Sequence, residues 1–160
     1  MEKRTITAIP YTGRGNPLVQ WTKLRHPLRV LVNFVVVKLC KYVPSLRTKN
    51  IFYKLIGVKI GRNVRIAPGV TLDFIFPELI EIGDNSVIGF ESLILTHEFL
   101  VNEWRRGKVI IGSNVVVGAQ TTVMPGVTIG DHSTIAVKSL VNKTLKPHSK
   151  VVGIPIRRIM

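Results

Sequence analysis

An all-β solenoid of parallel strands, entered through a basic and partly helical arm, is the fold class this sequence predicts. Three observations carry that expectation. Aliphatic residues return every six positions from Ile60 onward, most clearly at Ile111, Val117, Val123, Ile129, Ile135 and Val141. A small residue follows the aliphatic at Gly61, Ala67, Gly83, Gly89, Gly112, Gly118, Gly130 and Ala136. A second small or branched residue stands four positions after it, as at Val64, Val70, Ser86, Ser92, Val115, Thr121, Val127, Ser133 and Ser139. This period is neither helical nor a simple alternation. One such unit cannot bury its own apolar face, so the units stack into a parallel β-helix.

The elements follow in chain order. Residues 1–59 carry twelve Lys and Arg against Glu2 alone, whereas residues 60–160 carry eleven against eight acids. The first sixteen residues, with Gly13, Gly15 and Pro17 near their end, read as a flexible tail. Leu24, Leu28, Leu31, Val35 and Leu39 then recur at helical spacing, with Arg25, Arg29 and Lys38 among them. The apolar run from Leu28 to Cys40 is thirteen residues long and interrupted by Arg29, Asn33 and Lys38. A bilayer span needs ~20 apolar residues, so this is not one. A second short segment, Asn50 to Ile56, ends at Gly57 and leads into the repeats.

Three roles compete for the basic arm. It can cap the open end of the solenoid, as stacked repeats require. It can make peripheral contact with an anionic membrane, apolar side chains in the interface and cations on headgroups. Nucleic acid is the third, but no recognition motif accompanies the charge. The cap is the leading expectation, the membrane the second, and no nucleic acid is expected.

From Ile60 onward, two inward side chains per hexad fill the interior, and Val, Ile and Thr suit flat, half-buried strands. The small residue lets the chain turn a corner, and Asp84-Asn85, Ser113-Asn114 and Asp131-His132 supply turn chemistry. Three hexads complete one triangular coil, with successive coils paired at about 4.8 Å. The period fails twice. Leu72 to Ile82 spans ten residues and holds Asp73, Phe74, Phe76, Pro77 and Glu78. Ile94 to Ile111 spans seventeen and holds Thr96, His97, Glu98, Glu103, Trp104, Arg105 and Arg106. Insertions in solenoids collect on one face, often the binding face. The 160 residues have room for one core and an appendage, divided here as 1–59 and 60–160. Cys40 is the single cysteine and no signal peptide opens the sequence, so a reducing cytoplasm is the expected compartment.

The stretch IIGSNVVVGAQTTVMPGVTIGDHSTIAVKSLVNKTLKPHSKVVGIPIRRI contains the segment P-G-V-T-I-G-D, then Lys143, then Gly153-Ile154-Pro155. In these features the chain resembles the hexapeptide-repeat acyltransferases, the group that includes maltose and galactoside O-acetyltransferases, from Ile60 to Arg158. The resemblance implies a left-handed β-helix, an exception to the usual right-handed crossover. It also implies a homotrimer, acetyl-CoA as acyl donor and no metal. Galactoside-type relatives place a catalytic histidine after the strand that reads SLILTH here, which marks His97 as general base. His26, His132 and His148 read as surface residues.

By motif, the positions implied in coenzyme A binding are Ala119, Val137, Asn142, Lys143 and Arg157. The Ala119 N–H would meet the pantetheine arm or the thioester oxygen. Lys143 and Arg157 would meet phosphates. Two departures are Val116, where relatives often carry Trp, and Ala136-Val137-Lys138-Ser139, where they read G-A-G-S. Glu98 or Glu103 is expected either to orient the imidazole or to answer Arg105 and Arg106. Trp104 is expected against a neighbouring subunit or the acceptor, and Asp73 and Glu78 against an acceptor hydroxyl. The expected function is CoA-dependent O-acyl transfer to a hydroxyl of a sugar or related small polar acceptor. One alternative is a γ-type zinc carbonic anhydrase, which needs three converging histidines where only His97 sits at a loop-flanked strand end. The other is a non-catalytic scaffold.

Overall fold

The structure, a computed structural model, describes residues 1–13 and 17–159. The chain opens with strand β1 (Thr7–Pro10), followed by helices α1 (Trp21–Leu24), α2 (Pro27–Tyr42) and α3 (Leu46–Leu55). Four coils come next. The first is β2 (Lys59–Ile60), β3 (Arg65–Ile66) and β4 (Thr71–Leu72), and the second β5 (Ile80–Ile82), β6 (Val87–Ile88) and β7 (Leu93–Ile94). A hairpin of β8 (His97–Phe99) and β9 (Glu103–Arg106) projects before the third coil, β10 (Val109–Ile111), β11 (Val116–Val117) and β12 (Thr122–Val123). The fourth is β13 (Thr128–Ile129), β14 (Thr134–Ile135) and β15 (Leu140–Val141), and β16 (Lys150–Val152) with β17 (Arg157–Arg158) closes the end.

Each coil places one strand in each of three parallel sheets. These are β13-β10-β5-β2, β16-β14-β11-β6-β3 with β17 at its edge, and β15-β12-β7-β4. The register stacks Ile60, Ile82, Ile111 and Ile129 in one ladder. Ile66, Ile88, Val117, Ile135 and Val151 form the second, and Leu72, Ile94, Val123 and Val141 the third. All of these side chains are buried. They are the six-residue period of the sequence, and their removal from water stabilises the solenoid. The second inward position is polar in places without cost. Ser86 Oγ donates to the Gly112 carbonyl at 2.7 Å and accepts from the Val115 N–H at 3.0 Å. Asn85, Asn114 and His132 take the left-handed conformation that one corner requires. Coils approach closely at another corner, where a Cβ on Gly118 would lie 2.5 Å from the Val137 nitrogen.

The arm differs from expectation in three ways. The predicted tail is docked: β1 pairs antiparallel with β9, Thr7 opposite Arg106 and Pro10 opposite Glu103. The Thr5 N–H donates to the Gly126 carbonyl at 2.8 Å, and Glu2 bridges to Thr144. The physical reason is that β9 would otherwise present an unpaired strand edge. Of the expected tail, Arg14, Gly15 and Asn16 lie outside the described residues. Second, α2 does not bury the stripe Leu28, Leu31, Val35 and Leu39, which stays 44–62% exposed. It buries Val30, Asn33, Val37 and Cys40. The smaller Val and Cys side chains allow close approach to the first coil, and Asn33 Nδ2 donates to the Phe74 carbonyl at 2.9 Å. Third, the next helix starts earlier than Asn50, because Ser45 caps α3 by accepting from the Thr48 N–H. Tyr53 of α3 is fully buried with Val37 and Cys40 against the first coil.

Lys49 is an anomaly in that packing. It is 1% exposed, its Nζ has no hydrogen-bond partner among the described residues, and burial lowers its pKa. Lys49→Met keeps the side-chain length and removes the unpaired amine. It should raise stability by about 1 kcal/mol or more, read as a higher urea midpoint with unchanged slope.

Candidate active site

Both breaks in the repeat emerge from the same corner of adjacent coils. Leu72 and Ile94 are register partners, so the residues that follow them leave the sheet one above the other. Asp73 follows Leu72 and remains stacked, its N–H donating to the Ile94 carbonyl at 3.0 Å. His97 follows Ile94 by three residues and starts β8. The second insertion is a hairpin, and His97 opens its first strand.

The two side chains meet. His97 Nδ1 lies 2.5 Å from Asp73 Oδ2. Asp73 is an acceptor on both oxygens: Oδ2 also accepts from the Thr96 N–H at 2.9 Å, and Oδ1 from the Ile75 and Phe76 N–H groups at 2.8 and 3.2 Å. Burial alone would push the Asp73 pKa up. The hydrogen bond and charge of His97, with the Thr96 and Phe76 amides, outweigh burial and hold it below the ordinary carboxyl range. An ionised carboxylate only accepts, so His97 donates from Nδ1–H, which leaves Nε2 as the nitrogen that carries the lone pair in the neutral ring. The Phe76 and Phe99 rings contact the imidazole edge-on at centroid distances of 5.9 and 5.2 Å and fix its plane. The His97 side chain keeps 15% of its surface open, whereas that of Asp73 has none. A histidine so held can act as a base toward a ligand and cannot turn away from it.

This geometry corrects several expectations. Asp73, expected to touch an acceptor hydroxyl, is closed to solvent and its lone pairs are taken by four donors. It positions His97 instead. Glu78, the other acceptor candidate, pairs with Arg25 through Oε1 and has no hydrogen-bond partner on Oε2 among the described residues; the Arg25 guanidinium also lies 5.2 Å over the Phe76 ring. Neither Glu98 nor Glu103 reaches the imidazole. Glu98 Oε2 is 2.9 Å from the Arg4 guanidinium, and Glu103 accepts from Arg105 Nε at 2.6 Å. Trp104 packs within the chain, stacked 5.8 Å from Phe76 in a cluster with Val30 and Ile75. Phe76 and Phe99 went unrecognised as walls of the site. The signal was available, since each lies within three residues of the pair it flanks.

Of the positions expected to bind coenzyme A, Ala119 and Val137 lie at another corner, whereas Asn142 follows Val141 in the ladder of Leu72 and Ile94 and so leaves the sheet at the His97 corner, two coils further on. Ala119 turns the corner between β11 and β12, and its carbonyl accepts from Lys138 N–H at 2.8 Å, which stacks it on Val137 one coil later. His97 lies at the next corner, between β7 and β10. The chain therefore brings Ala119 and Val137 together but holds them at a different edge of the prism from His97. Val137 is 62% exposed, and Lys143 and Arg157 are exposed. Asn142 Oδ1 is shielded from solvent and has no hydrogen-bond partner among the described residues. The remaining histidines are apart from the pair: His26 caps α2, and His132 stacks on His148 at 4.9 Å. Among the described residues no three His, Cys, Asp or Glu side chains form a metal-ligand group.

Comparison with known proteins places this geometry in context. Residues 108–143 match the bacterial transferase hexapeptide family (six repeats), and residues 53–73 match the hexapeptide repeat of succinyl-transferase. The provisionally named acetyltransferase YvoF of Bacillus subtilis is 41% identical over 133 residues, which is 82% of this chain and 77% of that protein. The galactoside O-acetyltransferase of Escherichia coli is 39% identical over 103 residues, 64% of this chain and 43% of that one. A hexapeptide-repeat acetyltransferase of Vibrio cholerae, solved with acetyl coenzyme A, has the same fold with a TM-score of 0.68. It is 18% identical, with 83% of this chain and 86% of that chain covered.

Proposed function

From the premise that this chain belongs to the hexapeptide-repeat acetyltransferases and shares their left-handed β-helix, we propose that it transfers an acetyl group directly from acetyl-CoA to a hydroxyl of a sugar or related small polar acceptor, with His97 as the base. The observation that carries the reading is the His97–Asp73 pair, which leaves a basic nitrogen open beside two aromatic walls. A hydroxyl is scarcely ionised at neutral pH and needs a base within reach as it attacks. His97 Nε2 takes the hydroxyl proton while the oxygen bonds to the thioester carbonyl. Asp73 holds Nδ1–H and offsets the charge that the imidazole gains. The Ala119 N–H faces the oxyanion. The C–S bond then breaks, and His97 returns its proton to the departing CoA thiolate.

The corner at Ala119 and Val137 suits a long, flexible donor because the Ala119 side chain is a single methyl and Val137 is exposed beside it. Lys143 and Arg157 are exposed and would meet phosphates. Since His97 and Ala119 stand at different edges, a complete site takes one edge from each of two chains, which supports a homotrimer. The galactoside O-acetyltransferase of E. coli supports a sugar acceptor by its name. Among the described residues no helix is long and apolar enough to cross a membrane, and the lone buried Cys40 suits a reducing compartment such as the cytoplasm.

The donor site has its own test. Lys143→Ala and Arg157→Ala should each weaken acetyl-CoA binding, measured by titration calorimetry, by about 1–3 kcal/mol. The loss should shrink with a truncated donor that lacks the nucleotide. Equal losses with both donors would remove these side chains from phosphate binding. The transfer itself is tested by screening hydroxyl acceptors for release of free CoA.

A further inference from the structure

Helices α2 and α3 each have a second face that none of the described residues covers. On α2, Leu28, Leu31, Val32, Val35, Leu39 and Tyr42 are 44–78% exposed. On α3, Ile51, Phe52 and Leu55 are 43–75% exposed. At the α1 end, Val19, Trp21, Leu31, Phe34 and Phe74 wall an open apolar groove of about 660 Å³. A patch of this extent on a soluble domain marks an interaction surface rather than scattered exposure. It is not the spare side of a cap, since capping already uses Val30, Asn33, Val37 and Cys40.

Charge identifies the occupant. Arg29, Lys38, Arg47 and Lys54 are exposed on the same two helices, and Lys41 is half-buried beside them. No acid occurs in the sequence between Glu2 and Asp73, and Glu2 sits away from this face, bridged to Thr144. Among acids of the adjoining coils, Asp73 is committed to His97, Glu78 to Arg25 and Glu91 to Gln120. Apolar side chains interleaved with unanswered cations match an interface of acyl chains beneath anionic headgroups. A second copy fits poorly on this face: Arg29, Lys38, Arg47 and Lys54 are exposed there with no acid on either helix, and apposing two such faces would set cation against cation.

We infer that the outer face of α2 and α3 docks the protein on the surface of an anionic phospholipid bilayer, without spanning it. Lipid contact comes from the leucines at positions 28, 31, 39 and 55, and headgroup contact from Arg29, Lys38, Lys41, Arg47 and Lys54. This is independent of the acyl-transfer chemistry and stands or falls separately.

Co-sedimentation of the full chain with vesicles tests it. Vesicles of phosphatidylcholine and phosphatidylglycerol should bind the protein at least about tenfold more strongly than phosphatidylcholine alone, and binding should fall as salt shortens the Debye length below ~8 Å. The triple substitution Leu28→Ser, Leu39→Ser and Leu55→Ser lies wholly at exposed positions, so far-ultraviolet circular dichroism should be unchanged while vesicle binding drops about tenfold or more. Arg29→Gln with Lys54→Gln should weaken binding to the anionic vesicles alone. Absence of sedimentation, or equal binding to neutral and anionic vesicles, would overturn the proposal. So would a wild-type assembly that the leucine variant dissociates without any vesicle binding, which would make the face a contact between copies.

Discussion

His97→Ala is expected to lower acceptor-dependent CoA release by about 10²-fold or more while leaving acetyl-CoA affinity nearly unchanged. The imidazole touches no residue of the donor edge. Its contacts are Asp73, Phe76 and Phe99, all on the two insertions of its own corner. Removing it therefore takes away the base and leaves the donor surface at Ala119 and Val137 intact. Loss of donor binding in parallel with turnover would mean that His97 organises the site rather than moving a proton. Near-native turnover would take it out of the mechanism.

The second large effect is expected at Asp73. Asp73→Asn preserves shape but replaces an oxygen acceptor with an amide donor. Two of the four donors now facing the carboxylate, either Thr96 with His97 or Ile75 with Phe76, must then meet an N–H. If it is the pair with His97, the imidazole is pushed toward the tautomer that carries its proton on Nε2, and the base is lost. We expect kcat to fall by about 10²-fold or more with the KM for acetyl-CoA unchanged. A stability loss of about 1–3 kcal/mol should accompany it, because the Thr96, Ile75 and Phe76 amides are buried around this one group. The separation of kcat from KM distinguishes a positioning role from general loosening, which would move both.

The solenoid was legible because its period maps one to one onto the ladders. Ile60, Ile82, Ile111 and Ile129 share a face only if the coils stack in the observed register. The arm was less legible for a physical reason. α2 is apolar nearly all round, so spacing alone could not choose between the stripe through Leu28 and Leu31 and the one through Val30 and Val37. Fit to the first coil chose the latter. β1 is four residues long with no alternation of its own, and it exists because β9 offers an edge. The Asp73–His97 pair lay within reach of sequence reasoning. Leu72 and Ile94 occupy the same slot of adjacent coils, so Asp73 and His97 had to leave from one corner. What sequence could not supply was the depth at which Asp73 sits, which turns a candidate acceptor contact into a buried partner.

Acceptor-dependent release of free CoA, followed by mass analysis of the acceptor, tests direct transfer most immediately. With a panel of sugars and other small hydroxyl compounds, wild-type protein should release CoA in proportion to an added acceptor that gains one acetyl group on oxygen, and His97→Ala should lower both signals together by about 10²-fold or more. CoA release that is indifferent to every hydroxyl acceptor, or that persists with the acceptor unmodified, would contradict direct transfer by His97.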